Sequence, residues 1–370
     1  MQWVWTKSGG WPAIEVGPSA PSIVLVFGGR EALEAGDALA ALARHVPREL
    51  LFGCSTAGEI AGSSVHDGAV VATALWLERS TIVATCAGLS EAPDTTALGR
   101  LLAQRLPGRD LVHALVLSDG TQVNGSALVR GLIAGLPRDA TLSGGLSGDG
   151  VDMKRTVVVH AGSVKTGCVS LIGFCGGLRV ATGSRGGWDA FGPSRAVTRA
   201  RGNVLEELDG EPALALYKRY LGPHAGALPS SALLFPLVVK TNDGSPAVVR
   251  TVLGVDEAAG TMTFAGDVPM GSSAQLMRAN FERIIAAGEG AAEASRGAQA
   301  PEFALLISCV GRKLILKQRT EEELEAVRSV LGTNTTTTGF YSYGELAPSV
   351  TDAPCQLHNQ TMTVTTFWEP

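Results

Sequence analysis

The sequence predicts an α/β protein of two domains, built from repeated β-α-β-β units with an inserted β-meander. Three observations predict it. A pattern of strand, glycine turn, helix, strand and glycine-rich loop recurs three times along the chain. Each copy closes on glycine followed by an acid: Gly58-Glu59, Gly148-Asp149 and Gly344-Glu345. Between the second and third copies lies a run of short apolar stretches broken by N-D-G and E-A-A-G turns.

The first unit spans 22–77. Its strand signal is the β-branched run 23–27. Its helix signal is the apolar spacing of Leu33, Leu39, Leu42 and Val46, with Pro47 beyond. The second unit spans 111–175. Asn124 is placed to cap its helix, Leu128, Leu132 and Ile133 form the apolar face, and Pro137 ends it. The third unit spans 303–368. Its helix starts near Thr320 with Glu323 placed for a capping box, and "RKLILKQ" reads as a longer turn. A β-rich run follows each acidic loop: "AVVATALWL", "RTVVVHAG" and "TMTVTTFW". Gly53, Ser143 and Gly339 stand at the same offset before the closing glycine. His66 precedes Trp76 by the same interval as His358 precedes Trp368. Strand–glycine–helix series are common in α/β proteins. The shared endings and the doubled His…Trp interval make this series a repeat.

The first domain is expected over 20–222, ending in the short helix of "DGEPALALYKRYLG". The linker "GPHAGALPSS" leads to a second domain over 231–370. "SAQLMRANFERIIAAGEGAAEAS" reads as helix. With 45% hydrophobic and 18% charged residues the chain can bury a sizeable core. A net charge of −5 argues against a nucleic-acid partner. The start "MQWVWTKSGG" lacks the basic and apolar regions of a signal peptide, and no apolar run reaches membrane-spanning length. The six cysteines form no paired C-x-x-C site, and several sit in apolar runs. A cytoplasmic protein without membrane attachment is expected.

"GCSTAGEI", "HDGAVV" and "SDG…NG…SGGLSGDG" resemble the N-terminal FIST domain. "FAGDVPMGSSAQLMRAN", "GFYSYGEL" and "LHNQTMTVT" resemble the FIST C-terminal domain. The resemblance covers about residues 20–370. It implies a prokaryotic intracellular ligand-sensing module, often joined to or encoded near kinases and cyclases, with amino acids among the suggested ligands, and it does not imply catalysis. One subgroup of the family senses nitric oxide through haem b and regulates histidine kinases and cyclic-di-GMP enzymes. No output domain is recognisable in the sequence, so the expected partner is a histidine kinase or cyclic-di-GMP enzyme carried on a separate chain.

The Gly-acid loops are the first site candidates. A carboxylate beside a loop with free N–H groups can hold a small ligand. On that reading Ser55, Thr56, Gly58, Glu59, Asp149, Ser342, Gly344, Glu345 and His358 line a ligand pocket. Taken singly, each acid is as well explained as a turn cap. Three loops converging on one place would favour the pocket. For haem, an imidazole is the common iron ligand. His358, inside "LHNQT", is the candidate, with the Cys355 thiol as a second soft ligand. A structural histidine fixing the loop is the plainer account of any one of the six. An alternative class is a hydrolase acting from Cys54, His66 and Glu59. A nucleophilic cysteine needs a lowered pKa, and a buried thiol is the simpler reading of Cys54. Trp188, Arg185, Arg199 and Arg201 could face an acidic ligand or form a solvated strand edge.

Overall fold

Each unit folds around a pair of parallel strands. In a computed structural model, which describes residues 1–349 and 353–370, the pairs are Ile23–Gly28 with Leu51–Ser55, Leu111–Ser118 with Thr141–Leu146, and Phe303–Cys309 with Thr336–Ser342. An antiparallel strand flanks the first member of each pair: Val70–Leu75, Cys168–Gly176 and Met362–Trp368. Beyond these lie Gln2–Trp5, Ser80–Gly88 and Arg179–Arg185. We call the resulting sheets I, II and III.

The second member of each pair would be an open edge, which invites stray pairing. Here a hairpin from another unit covers it. Glu59–Ala61 and Ser64–His66 of the first unit complete sheet III. Gly344–Pro348 and Cys355–His358 of the third complete sheet II. Val158–His160 and Ser163–Lys165 of the second complete sheet I. The exchange is a closed ring, so no unit has a complete sheet of its own. This corrects the expected role of "RTVVVHAG": it forms the exchanged hairpin, and the counterpart of Val70–Leu75 and Met362–Trp368 is Cys168–Gly176.

The inner faces of the three sheets share one core. Leu25 and Phe27 come from sheet I, Leu115 and Phe174 from sheet II, Leu305, Phe340 and Phe367 from sheet III. Phe27 packs on Phe340 with centroids 4.8 Å apart, and Phe174 on Phe367 at 5.6 Å. Each buried side chain of this size is worth about 1.5–3 kcal/mol. His113 is buried here between Thr141 and Ser143, and burial lowers its pKa to about 3.

Helices cover the outer faces. On sheet I lie α1 (Arg30–Ala35) and α2 (Asp37–Leu42), parted by Gly36 at φ 80. On sheet II lie α3 (Thr95–Arg105) and α4 (Gly125–Gly135). Asn124 caps α4 as expected, accepting from Ala127 N–H at 2.9 Å; Leu128 and Leu132 are buried, whereas Ile133 is exposed. After α4 the chain order gives α5 (Ala213–Leu221), α6 (Phe281–Ala294), α7 (Val310–Leu316) and α8 (Thr320–Leu331). Helices α6 and α8 cover sheet III, and α5 packs on the inserted sheet IV. Sheet IV is eight-stranded, running from Val248–Arg250 through Leu237–Lys240, Ser273–Arg278, Asp189–Arg201, Val204–Leu208 and Thr261–Phe264 to Val252–Asp256, with Glu211–Pro212 at its side.

Three local expectations are corrected. Residues 273–278 form a strand, and helix begins only at Phe281, where Asn280 accepts from Arg283 N–H. "RKLILKQ" is mostly helix, in α7. Glu323 forms no capping box: Arg319 precedes α8 without a side-chain cap. The Glu323 carboxylate instead accepts from Arg312 Nη2 at 2.8 Å, from Ser308 at 3.1 Å and from Tyr341 at 2.7 Å. Both Arg312 and Glu323 are fully buried. The guanidinium also donates to Gly186 O, Ile284 O and Gln360 O, tying four segments to α8.

One glycine position repeats in all three units. A Cβ on Gly53 would stand 1.6 Å from Val26 O, on Gly339 1.7 Å from Leu306 O, and on Gly144 2.1 Å from Val116 O. The second-unit counterpart is therefore Gly144, one residue after the expected Ser143. Gly53→Ala should lower stability by about 3 kcal/mol or more, because backbone has to move. Gly108→Ala, with open space around it, should be neutral or slightly stabilising. Urea unfolding of both variants checks this; equal stabilities would remove the close-approach argument.

Candidate functional site

The three Gly-acid loops do converge. Gly148 N–H donates to Ser55 O at 2.9 Å and Gly150 N–H to Thr56 O at 3.1 Å. Ala57 N–H donates to Tyr341 O and Tyr341 N–H to Gly58 O, both at 2.8 Å, and Tyr343 N–H to Leu146 O at 3.1 Å. These bonds fill the meeting point with backbone. Ser55, Thr56, Glu59, Ser342, Gly344 and Glu345 are all buried there.

The two glutamates do the same work in the first and third units. Glu59 accepts from Thr56 Oγ1 at 2.5 Å and Ala69 N–H at 3.0 Å. Glu345 accepts from Ser342 Oγ at 2.7 Å, Thr361 N–H at 3.1 Å and Thr361 Oγ1 at 2.8 Å. Each glutamate also sits opposite its unit's histidine across the exchanged hairpin, Glu59 by His66 and Glu345 by His358. Burial outweighs these donors and raises Glu345 to about 8 and Glu59 to about 7. Asp149 serves differently, accepting from Tyr343 Oη and from Lys154 and Arg155 N–H. Gly58 packs against the Lys313 amine, which donates to Ala57 O at 2.9 Å and pairs with Asp67.

His358 is 5% exposed, and its Nε2–H donates to Ala347 O at 2.9 Å. Burial lowers its pKa to about 4. That nitrogen is committed to a carbonyl, and burial pushes the Cys355 thiol up. The hydrogen bond leaves the Nδ1 lone pair free, but at 5% exposure the imidazole presents no open face to a haem in this structure. Cys54 is fully buried, and desolvation raises its thiol to about 12, so it offers no thiolate nucleophile. Trp188 is buried with its indole N–H on Gln360 O at 2.9 Å. Arg199 and Arg201 pair with Glu206 at solvent-exposed positions of a strand that has neighbours on both sides, so the strand is not the edge expected.

A cavity of about 370 Å³ opens elsewhere, at the ends of the first strands of units two and three. Its floor is the loop Gly120–Gly125 before α4 and residues 309–311 at the start of α7. Sheet IV supplies Asn203, Thr251, Leu253, Phe264 and Gly266; Leu146, Tyr343 and Leu357 close the side. The volume lies in the range of small-molecule sites. Among the described residues, no lining side chain is that of Asp, Glu, Lys, Arg or His. Met153 and Leu253 line it while 43% and 44% exposed, which marks the mouth.

Two buried polar groups behind this wall lack partners, and neither is reached from the open space. Thr251 is 5% exposed, and its hydroxyl bonds to nothing. The Gln360 side-chain amide is buried with neither end paired, and it lies against Gly311, where a Cβ would stand 2.5 Å from Nε2. Buried unpaired groups are rare enough to need a cause. None of the ligand-site residues expected from the sequence lines this cavity; Asn124, read as a helix cap, does. The "SDGTQVNG" loop was legible as a helix start. Thr251 carries no local signal, because only the fold brings the meander over that loop.

The FIST N domain profile matches residues 22–211, and the FIST C domain profile matches residues 213–348. A search of curated proteins finds no match. Sheet III joins segments from both matched regions, since Glu59–Ala61 and Arg179–Arg185 belong to the first. Among the described residues no helix is long and apolar enough to cross a membrane.

The raised glutamate has a consequence for stability. Unfolded Glu345 releases its proton near 4.5, whereas the folded group holds it to about 8. Its contribution is full below pH 4.5 and is lost as the pH rises through about 8. Urea unfolding should therefore show stability falling from pH 5 to pH 8.5, with a shallower fall in Glu345→Gln. An unchanged slope in the variant would contradict the assignment.

Proposed function

The chain belongs to the FIST family, whose domains serve small-ligand sensing in signal transduction, and from that premise we propose that it is a non-catalytic sensor holding an organic ligand in the 370 Å³ cavity between the units and sheet IV. The observation that carries the proposal is a 370 Å³ cavity whose lining, among the described residues, carries no charged side chain. The cavity is assembled from three modules: α4 with sheet II, α7 with sheet III, and the inserted sheet IV. A ligand that fits one relative placement better than another shifts the balance between them. The output would pass to a separate chain, a histidine kinase or a cyclic-di-GMP enzyme being the class the resemblance implies. The burial of His358, away from the cavity lining, favours an organic ligand over haem and nitric oxide.

A thermal-shift screen of small organic metabolites, run beside hemin, tests this. At a hundredfold excess over Kd a true ligand should raise the midpoint by about 3 °C. Leu253→Trp at the mouth should abolish that rise without lowering the midpoint of the free protein. A Soret band that shifts with nitric oxide and disappears in His358→Ala would overturn the proposal in favour of a haem sensor.

A further inference from the structure

A bare sheet edge is a liability that proteins manage with short strands, charges or proline. Every edge strand of the four sheets but two is five residues or shorter. Arg179–Arg185 carries an arginine at each end. Ser80–Gly88, at the edge of sheet II, has none of these protections. It runs for nine residues, "STIVATCAG", without a charge or a proline.

Its outward backbone groups alternate along the strand. Leu89 N–H donates to Gly167 O and Gly177 N–H to Arg79 O, so odd-numbered residues of the strand face Cys168–Gly176. Even-numbered residues turn their N–H and C=O groups away from the sheet. At one end these groups are occupied: Gly88 N–H donates to Glu91 Oε1 at 2.7 Å, and Cys86 O accepts from Arg105 Nη1 at 2.9 Å. Just beyond the other end, Glu369 accepts from the Glu78 N–H at 2.6 Å and the Arg79 N–H at 3.1 Å. Between these guards, Ile82 and Ala84 have no hydrogen bond on their outer side among the described residues. The open stretch 80–86 is centred on Val83, whose side chain is 37% exposed.

A second copy laid antiparallel on this edge, with a two-fold axis through Val83, matches it group for group. Ile82 of each copy then pairs with Ala84 of the other, and the N–H and C=O groups of both residues find partners. On the outer face Val83 meets its own mate and Thr81 meets Thr85, pairings that favour a sheet. The guards match as well. One end carries Glu78 and Glu369 with Arg79; the other carries Arg105 and, beside Glu91, Lys165. The axis lays the more acidic end of one copy over the more basic end of the other.

We propose that Ser80–Gly88 is the interface of a two-fold homodimer, in which the sheets II of two copies join through Val83 into one continuous sheet. Such an interface is isologous: the same patch serves both subunits.

Sedimentation equilibrium of the full chain between about 1 and about 100 μM tests this. The mass should rise toward twice 38.2 kDa, and the association should weaken as salt is raised, since the charged ends are exposed. Val83→Lys sets like charges directly opposite each other and should leave a monomer with an unchanged thermal midpoint. Val83→Cys reads the register. That residue faces its own mate in a non-hydrogen-bonded pair, with Cα atoms about 4.5 Å apart, so diamide should give a covalent dimer. Thr81→Cys, and the parent protein whose Cys86 lies opposite Ser80 of its mate, should not cross-link. A monomer at every concentration would overturn the proposal; capture of another protein's strand by that monomer, lost in Val83→Lys, would assign the edge to that partner instead. A dimer that survives Val83→Lys would overturn the surface. A dimer lost in Val83→Lys with no cross-link in Val83→Cys would overturn the two-fold register.

Discussion

No sheet of the three-unit core is complete without a hairpin from another unit. Each parallel pair exposes an edge, and the ring of exchanged hairpins closes all three edges at once. The inner faces then bury one shared core. Stability should consequently belong to the ring as a whole, because removing one hairpin uncovers an edge in another unit. The Arg312–Glu323 pair reinforces this joint. Replacing a buried ion pair with apolar groups can cost little, but removing one partner strands a charge. Arg312 also holds three carbonyls from three other segments, so its loss would release more than one ion pair.

The same ring explains why the meeting point of the loops is closed and the neighbouring cavity is open. Where loops 55–58, 146–150 and 341–343 bond to one another, no space remains. The strand ends at Gly120 and Gly311 face outward from that knot and are roofed only by sheet IV. Sheet IV has its own apolar core and is not part of the hairpin ring. On the proposed function it is the module placed to shift when the cavity fills, with the ring as the surface against which it shifts.

Much of this fold was legible because the repeat is real in three dimensions. The Glu59–His66 and Glu345–His358 pairs occupy matching hairpin positions, and the shared glycine recurs at a close backbone approach. The site was less legible for the same reason. Features repeated between units, such as the Gly-acid endings, serve the internal joint that each unit must make. The cavity is lined instead where the units differ, at Gly120–Gly125, at Gly311 and on the meander. Glu323 misled for a related physical reason. Its spacing after Thr320 suits a capping box, yet buried Arg312 competes for the same carboxylate and wins with two hydrogen bonds. No local pattern announces a partner that arrives from a preceding helix.

Hydrogen exchange of the full chain with and without a saturating organic ligand from the thermal-shift screen tests the central claim most directly, since it separates the cavity from the knot of loops. Slowed exchange in residues 121–128 and 251–266, with 53–60 and 339–346 unchanged, is the predicted result. Protection confined to 53–60 and 339–346 would contradict it and return the site to the Gly-acid loops.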